Sequence, residues 1–292
     1  MHNLFIFNSD LRLRDNLALY NAAKNAESLT VLYIFNQKKW IDHNESDLKI
    51  AFQLKHLKEL SKGLNALNIS LKLIEAEGID DESKRIIEFV ETHKIDEVFI
   101  NKDYGFNETQ RDLDLDLELT KLNKRLNIYD SSIFDPNSIK TQSNTFFKVF
   151  TPYSRAFRSK LITSKLQSIG LPKKQKIKIF ESDEIKNIEL DETRVNILEA
   201  YTAGEENALS KLEEFIDHKI LNYKDKRDFP AIEGTSSLSP YLSSGILSSR
   251  QCLLKVFEKF SESEIGVKTW VTEIIWREFY KYILFHNPRV SK

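Results

Sequence analysis

The chain has 292 residues, of which 41% are hydrophobic and 30% are charged, and its formal net charge is −1. These values are typical of a soluble globular protein, and the length allows two domains, since one hydrophobic core rarely grows beyond about 250 residues. The single cysteine, Cys252, excludes an internal disulfide framework and a multi-cysteine zinc site. Charged residues follow the short apolar run Met1–Phe7 at once, so we predict a cytoplasmic protein without signal peptide or membrane span.

The first 130 residues alternate between strand-like and helix-like runs. Short apolar runs predict five strands, at Asn3–Phe7, Thr30–Phe35, Ser70–Ile74, Glu97–Ile100 and Asn127–Tyr129. Apolar residues at helical spacing predict helices between them, at Ile50–Leu64, Glu82–His93 and Asn107–Leu126. This alternation predicts an α/β domain with a doubly wound parallel sheet over residues 1–132.

Residues 133–202 are predicted to be an interdomain connection. The stretch from Pro172 to Thr202 has no strong periodicity, and we interpret it as exposed. Lys173–Lys178 is a basic run, which is interpreted as a solvated linker or, alternatively, as a polybasic patch.

Residues 203–292 show no convincing strand and predict an all-α domain. Helices are expected at Leu209–Ile216, Arg250–Phe260 and Val267–Phe285, and Ser248 with Gln251 predicts a capping box before the second. From Lys219 onward, 12 Lys and Arg face 8 Asp and Glu. This basic surplus is compatible with a phosphate-facing surface or simply with a solvated one.

Common phosphate-binding and hydrolytic motifs are absent. The sequence contains no GxGxxG, Walker loop, HExxH or GxSxG, so a conventional dinucleotide dehydrogenase is not expected.

The segment Tyr223–Ser239 (YKDKRDFPAIEGTSSLS) is the first with candidate chemistry. Thr235, Ser236, Ser237 and Ser239 place four hydroxyls within five residues, and Ser239-Pro240 is typical of an N-cap followed by proline. Hydroxyls and free N–H groups at a helix start favour a diphosphate site. A capped, serine-rich loop is the alternative.

The segment Trp270–Tyr280 (WVTEIIWREFY) is the second. On a helix, Trp270, Glu273 and Arg277 share a face, and Trp276 flanks it. Indoles and charged side chains so placed can bind a flat heteroaromatic ligand. The alternative is an i,i+4 Glu273–Arg277 ion pair with both tryptophans in a core.

The segment Asp10–Leu19 (DLRLRDNLAL) follows the first predicted strand and is the third. It lies where a ligand crevice of an open α/β sheet is expected. We favour a structural role, as a salt-bridged loop in which Asp15 or Asn16 caps a helix.

In their order along the chain, five blocks resemble the DNA photolyase/cryptochrome family, and most closely its bacterial class I enzymes for cyclobutane pyrimidine dimers. The blocks are DLRLRDNLAL, NKDYGFNETQRD, FKVFTPYSRAF, RDFPAIEGTSSLSPYLSSGILSSRQ and WVTEIIWREFY. The resemblance implies an N-terminal α/β antenna domain, an all-α FAD-binding domain and light-driven repair of damaged DNA.

The resemblance also implies roles for single residues. Those implied to bind FAD are Tyr223, Thr235, Ser236, Ser237, Leu238, Ser239 and Trp270. Glu273 and Trp276 are implied to contact the flipped dimer, Arg277 to lie between flavin and substrate, and Arg227 to contact DNA phosphate.

An antenna cofactor is implied as well. Asn107 and Glu108, with His43 and Lys292, stand where folate-type members contact methenyltetrahydrofolate, which favours folate over a deazaflavin. Alternatively, Asn107 is a helix N-cap, a role it could also fill at the same time.

The chain departs from the family pattern at two places. It has Phe5-Ile6-Phe7-Asn8 where the family usually has an aromatic residue and an arginine, and family members continue well past Lys292. We therefore expect a flavin domain that is only partly present and binds FAD weakly or not at all, in a parent enzyme that is monomeric. The alternatives are a cryptochrome-like photoreceptor without repair and an inactive folate-binding remnant.

Overall fold

A five-stranded parallel sheet organises the first part of the chain in a computed structural model that describes residues 1–291. The strand order is β3-β2-β1-β4-β5. The strands are β1 (His2–Ile6), β2 (Ser28–Phe35), β3 (Ser70–Glu75), β4 (Glu97–Asn101) and β5 (Arg125–Tyr129). All five predicted strands are confirmed, because each apolar run is long enough to pair and to be covered by helices.

Helices connect the strands and form most of the remaining chain. They are α1 (Leu17–Lys24), α2 (Gln37–Asp42), α3 (Asp47–Ala66), α4 (Ile79–Thr92), α5 (Phe106–Lys121), α6 (Phe150–Thr163), α7 (Glu192–Glu199), α8 (Glu205–His218), α9 (Tyr223–Lys226), α10 (Ser239–Ser243), α11 (Ser249–Lys259) and α12 (Ile265–His286). Helices α1 and α3 pack on one face of the sheet, and α4 and α5 pack on the other. The predicted doubly wound α/β fold followed by a mostly helical part is confirmed.

The segment from Pro172 to Thr202 is less exposed than its composition predicts. The backbone N–H of Asp183 donates to Leu71 of β3 at 2.9 Å, and its carboxylate pairs with Lys72. Gln175 and Ile185 are buried, and α7 lies within the segment. The prediction of an exposed connection without regular structure is therefore wrong in part, because the segment covers the edge strand β3. Lys173, Lys174 and Lys176 are exposed, as predicted.

The helical part from α8 onward shares one hydrophobic core with α6 and with Ala51 and Phe52 of α3. Helix α12 runs through this core and buries Val267, Val271, Ile275 and Tyr282. Between Gly204 and Ser291 the chain contains no strand, as predicted. The predicted capping box is confirmed, since Ser248 and Gln251 exchange hydrogen bonds at the start of α11.

Buried polar contacts join the sheet to the helical part. Asp15 is fully buried, accepts from Arg250 at 2.8 Å, and lies in the loop that Asn16 ends by capping α1. Arg12 donates to the carbonyl oxygen of Gly245, whose φ of +69° and close approach to the Ser9 backbone leave no space for a side chain. The structural role predicted for residues 10–19 is thereby confirmed. Among the described helices, none combines the length and hydropathy that crossing a bilayer requires.

Candidate functional site

A cavity of about 450 Å³ opens at the carboxyl ends of the strands. Asn8 follows β1, Asn36 follows β2 and Asp103 follows β4, and all three line it. Parallel strands end at the same edge of a sheet, and their crossovers leave a crevice where the strand order reverses. The crevice between β1 and β4 is such a place.

Paired charges line the cavity. Lys39 of α2 contacts Glu108 of α5 at 2.9 Å, and Arg111 lies 3.4 Å from Glu82. Burial alone would raise the pKa of Glu108, but the charge and hydrogen bond of Lys39, a backbone hydrogen bond and the charge of Arg111 together outweigh it, so the pKa lies below its ordinary value. Glu108 is therefore ionised at neutral pH and presents carboxylate oxygens to the cavity.

Aromatic rings form another wall of the same cavity. Trp40 of α2 packs edge-to-face on Phe35, with ring centroids 4.6 Å apart and an interplanar angle of 73°. Tyr33 also lines the cavity, and burial raises its pKa far above the ordinary range, so its hydroxyl stays neutral. Aromatic walls with a few fixed polar groups are typical of sites for flat conjugated ligands.

The residues predicted for an antenna cofactor are only partly brought together. His43, which ends α2, and Glu108 both line the cavity. Asn107 lies in the first turn of α5 and not among the lining residues. Its alternative role as an N-cap is wrong, because Gly105 is the N-cap of α5. Lys292 lies outside the described residues.

A second group of predicted residues meets where α9 lies against α12. Gly266 allows this approach, since a Cβ there would overlap the backbone of Ile220 and Leu221 just before α9. Arg227, directly after α9, donates to the carboxylate of Glu273, and this hydrogen bond raises the pKa of Arg227. The guanidinium of Arg227 also lies 5.3 Å from the ring centroid of Tyr223.

The two tryptophans of α12 have different environments. Trp270 is 3% exposed and packs against Phe215 in the core, with ring centroids 5.4 Å apart. Trp276 is half-buried and stacks on Phe150. Of the two tryptophans that the alternative places in a core, only Trp270 is fully buried there.

Arg277 contacts neither Glu273 nor a carboxylate elsewhere in the described chain. It donates to the carbonyl oxygen of Leu242 at 2.6 Å, so the predicted i,i+4 ion pair is wrong. Arg277 also lines a polar cavity of about 120 Å³ between α12 and the carboxyl edge of the sheet, with Lys281 and Asn101.

The hydroxyl-rich run Thr235–Ser239 forms a loop before α10. Within residues 1–291, the hydroxyls of Thr235, Ser236, Ser237 and Ser239 form no hydrogen bond with the protein, and neither do the backbone N–H groups of the first three. Leu238 is buried and is the N-cap of α10, so the predicted N-cap at Ser239 is wrong by one residue. Ser237 has a positive φ of 51°. The loop therefore presents several unbonded donors on one short stretch.

A family model for DNA photolyase matches residues 3–173. The chain belongs to the DNA photolyase family. It is 33% identical to the deoxyribodipyrimidine photo-lyase of Buchnera aphidicola, covering 99% of this chain and 61% of that one. It is 30% identical to the deoxyribodipyrimidine photo-lyase of Escherichia coli, covering 99% of this chain and 62% of that one. The chain therefore spans about three fifths of the length of these curated relatives.

Solved structures of the DNA photolyase family and its neighbours share the fold. A class III photolyase from Agrobacterium tumefaciens superposes with a TM-score of 0.83 at 24% identity, over 99% of this chain and 60% of that one. A cryptochrome from Synechocystis superposes with a TM-score of 0.79 at 19% identity, over 98% of this chain and 62% of that one. At these identities the likeness establishes the fold alone.

Several residues of these sites were missed by the sequence analysis. Lys39 and Trp40 lie in α2, which is separated from the end of β2 by one residue, and the rule that ligands bind beyond strand ends would have marked them. Glu82 and Phe150 carry no local signal, because their partners are distant in sequence. Arg111 pairs with its neighbour Asp112 as well as with the distant Glu82.

Proposed function

We propose that this chain serves in light-driven, FAD-dependent repair of cyclobutane pyrimidine dimers in DNA. The observation that carries the proposal is the surface group on α9 and α12. There Arg227, Glu273 and Trp276 combine a cation, a carboxylate and a half-buried indole. The unbonded donors of the loop 235–239 follow Gly234, which lies against the backbone of Lys226, the residue before Arg227. Curated relatives named deoxyribodipyrimidine photo-lyases support the same assignment.

The donor set of the loop fits a diphosphate. Thr235, Ser236, Ser237 and Ser239 offer hydroxyls to phosphate oxygens, while Leu238, whose side chain is buried, offers only its backbone. Tyr223 and Trp270 both pack against Phe215 and would contact other portions of the cofactor. The chemistry that FAD supplies here is light-driven donation of an electron to the dimer.

The residues of α12 would recognise the lesion. A pyrimidine dimer stacks poorly in the duplex, so flipping it out costs less than flipping an intact base. Trp276 would stack on the flipped bases, and Glu273 would hydrogen-bond a base edge once Arg227 turns from it toward a DNA phosphate. Arg277, held by the Leu242 carbonyl, would lie between this site and the flavin.

The cavity at the sheet edge would hold the antenna cofactor, for which we propose methenyltetrahydrofolate. His43 and Glu108 line the cavity, and Lys39 and Trp40 add a cation and an aromatic wall. A flat pterin ring with polar edges fits walls of this kind. We propose Asn107 and Lys292 as further folate contacts; Asn107 is not among the lining residues, and Lys292 lies outside the described residues.

Binding of damaged DNA tests the proposal on the chain as it exists. We expect the purified chain to bind an oligonucleotide with a synthetic thymine dimer more tightly than the undamaged oligonucleotide, as measured by fluorescence anisotropy. Glu273→Gln should reduce that preference, whereas Glu262→Gln, which removes a carboxylate bound to Arg158, should not. Equal affinity for both oligonucleotides would contradict the proposal.

Cofactor retention is measured separately, by absorption after incubation with FAD or with methenyltetrahydrofolate. We expect retention of folate and little or no retention of FAD by these residues alone. Repair under blue light with tightly bound FAD would show that the flavin site is complete within this chain.

A further inference from the structure

Phe150 and Trp276 form the closest ring pair in the described part of the chain. Their centroids are 3.5 Å apart and their planes differ by 6°. Every other ring pair among residues 1–291 has a larger centroid separation. One indole face of Trp276 is therefore covered by Phe150.

The structure holds Phe150 firmly in this position. Phe150 is the first residue of α6, whose Tyr153 and Phe157 are buried in the helical core. The buried ring of Phe279 packs edge-to-face on Phe150 at 5.7 Å and on Trp276 at 5.8 Å. Phe279 thus supports both stacked rings from the side of the core.

Tyr280 is the third aromatic neighbour of Trp276 and the most exposed of the three. Tyr280 lies one turn further along α12, with its ring centroid 5.6 Å from the indole and tilted by 26°, and it is 61% exposed. A base that stacks on Trp276 must approach from the side that Phe150 does not cover. We infer that Phe150 is a positioning residue of the lesion site, which fixes the plane of Trp276 and leaves one indole face for the flipped base.

This inference rests on the proposed function and deepens it. A side chain that is fixed before binding loses less conformational entropy when the ligand stacks on it. Phe150 lies in the segment predicted as a connection, although Tyr153 and Phe157 of the same helix are buried in the helical core. Phe150 acts only through Trp276 and is not expected to touch the lesion.

The test compares binding of a thymine-dimer oligonucleotide with that of the undamaged oligonucleotide. We expect Phe150→Leu to lower the ratio of the two affinities by about two- to tenfold, the range of an aromatic pair. Phe150→Tyr keeps the stacked ring and should restore the ratio. Phe146→Leu is the matched control, because Phe146 stacks on His286 further along α12 at 4.8 Å and 10°.

A double-mutant cycle separates positioning from a general structural role. In a Trp276→Ala background, Phe150→Leu should leave the affinity ratio unchanged, because the residue through which it acts is gone. An equal loss with and without Trp276 would overturn the inference. So would a loss of the same size in Phe146→Leu.

Acrylamide quenching of fluorescence decides the inference without DNA. The signal of Trp276 is the difference between the chain and its Trp276→Phe variant, and Phe150→Leu should increase its quenching constant while Phe146→Leu should not. If the unmodified chain shows no preference for the dimer, the proposed function fails. The quenching result still tests whether Phe150 fixes the indole of Trp276. An unchanged quenching constant in Phe150→Leu would overturn this part of the inference.

Discussion

The cavity at the sheet edge and the surface group on α12 are built in opposite ways. The cavity is lined by charges that are already paired with one another, such as Lys39 with Glu108. On α12, the side chains predicted to contact a ligand contact other side chains instead. Glu273 contacts Arg227, and Trp276 stacks on Phe150. A ligand can enter the first site as it stands, whereas the second requires exchange of partners.

This difference shows that a strong sequence motif does not imply a site that is open to its ligand as it stands. WVTEIIWREFY is one of the two most specific blocks of the chain, and yet Glu273, Trp276 and Arg277 already contact other groups of the protein. The cavity has weak sequence signals and a well-defined geometry. Substitutions that compare matched residues of the two regions can test this contrast.

The two tryptophans of α12 should give the largest difference in stability. Trp270→Ala removes a buried ring packed on Phe215 and should lower the free energy of unfolding by about 3–5 kcal/mol. Trp276→Ala removes a ring that is less buried and should cost less, about 1–2 kcal/mol, because part of its surface is already exposed. Urea unfolding followed by circular dichroism measures both. Equal losses would show that Trp276 is a core residue and not a site residue.

The contact that His56 makes between the sheet domain and the helical part should contribute up to about 3 kcal/mol of pH-dependent stability. His56 is buried, accepts from the Gly204 N–H and contacts the Leu11 carbonyl at 2.6 Å, and burial lowers its pKa to about 4. Unfolded His56 takes up its proton near its ordinary pKa of 6.5, so the contribution is fully present above that pH and is lost as pH falls toward 4.

Urea unfolding between pH 7 and pH 4 measures that window. His56→Gln should flatten the loss of stability over it, relative to the unmodified chain. His218→Gln, at an exposed position of α8, should leave the pH dependence unchanged. An unaltered slope in His56→Gln would show that the neutral ring does not link the two regions.

Much of the architecture was predictable because its causes are local. The runs at β1 and β2 are mostly apolar, and the Ser248–Gln251 capping box spans four residues, so both are visible in a short window. Helix α6 and the course of the segment 172–202 were not predicted. Their stability depends on distant partners, such as Lys72 for Asp183.

The site was predictable where family motifs point to individual residues. It was not predictable where a role depends on contacts between distant residues. Glu273 and Trp276 were singled out by their spacing, but their partners Arg227 and Phe150 lie 46 or more positions away. Asn107 was interpreted as a possible cap, because the sequence does not show that the helix starts at Gly105. Spacing specifies which residues share a face, while packing decides what each one touches.

Removing Lys39 from the cavity should lower the stability of the fold by a moderate amount. Lys39→Met leaves Glu108 half-buried without its partner and should cost about 1–2 kcal/mol of stability. Burial then acts alone, so the pKa of Glu108 should rise from its lowered value. Carbon-13 NMR titration of the glutamate carboxyl groups measures the shift. Lys38→Met, at an exposed neighbour that pairs with Asp42, should leave the titration of Glu108 unchanged.

Removing Arg227, the cation that pairs with Glu273 of α12, should change the stability of the fold least. Arg227 and Glu273 are each about one third exposed, and an ion pair at such a surface contributes below about 1 kcal/mol. Arg227→Met should therefore hardly change the urea midpoint, and it should weaken binding of dimer-containing and undamaged DNA alike, because phosphate contacts carry no sequence information. A loss as large as that of Lys39→Met would mean that the Arg227–Glu273 pair maintains the fold, and that Glu273 is not available to a base. A loss confined to the dimer would instead assign Arg227 to the lesion itself.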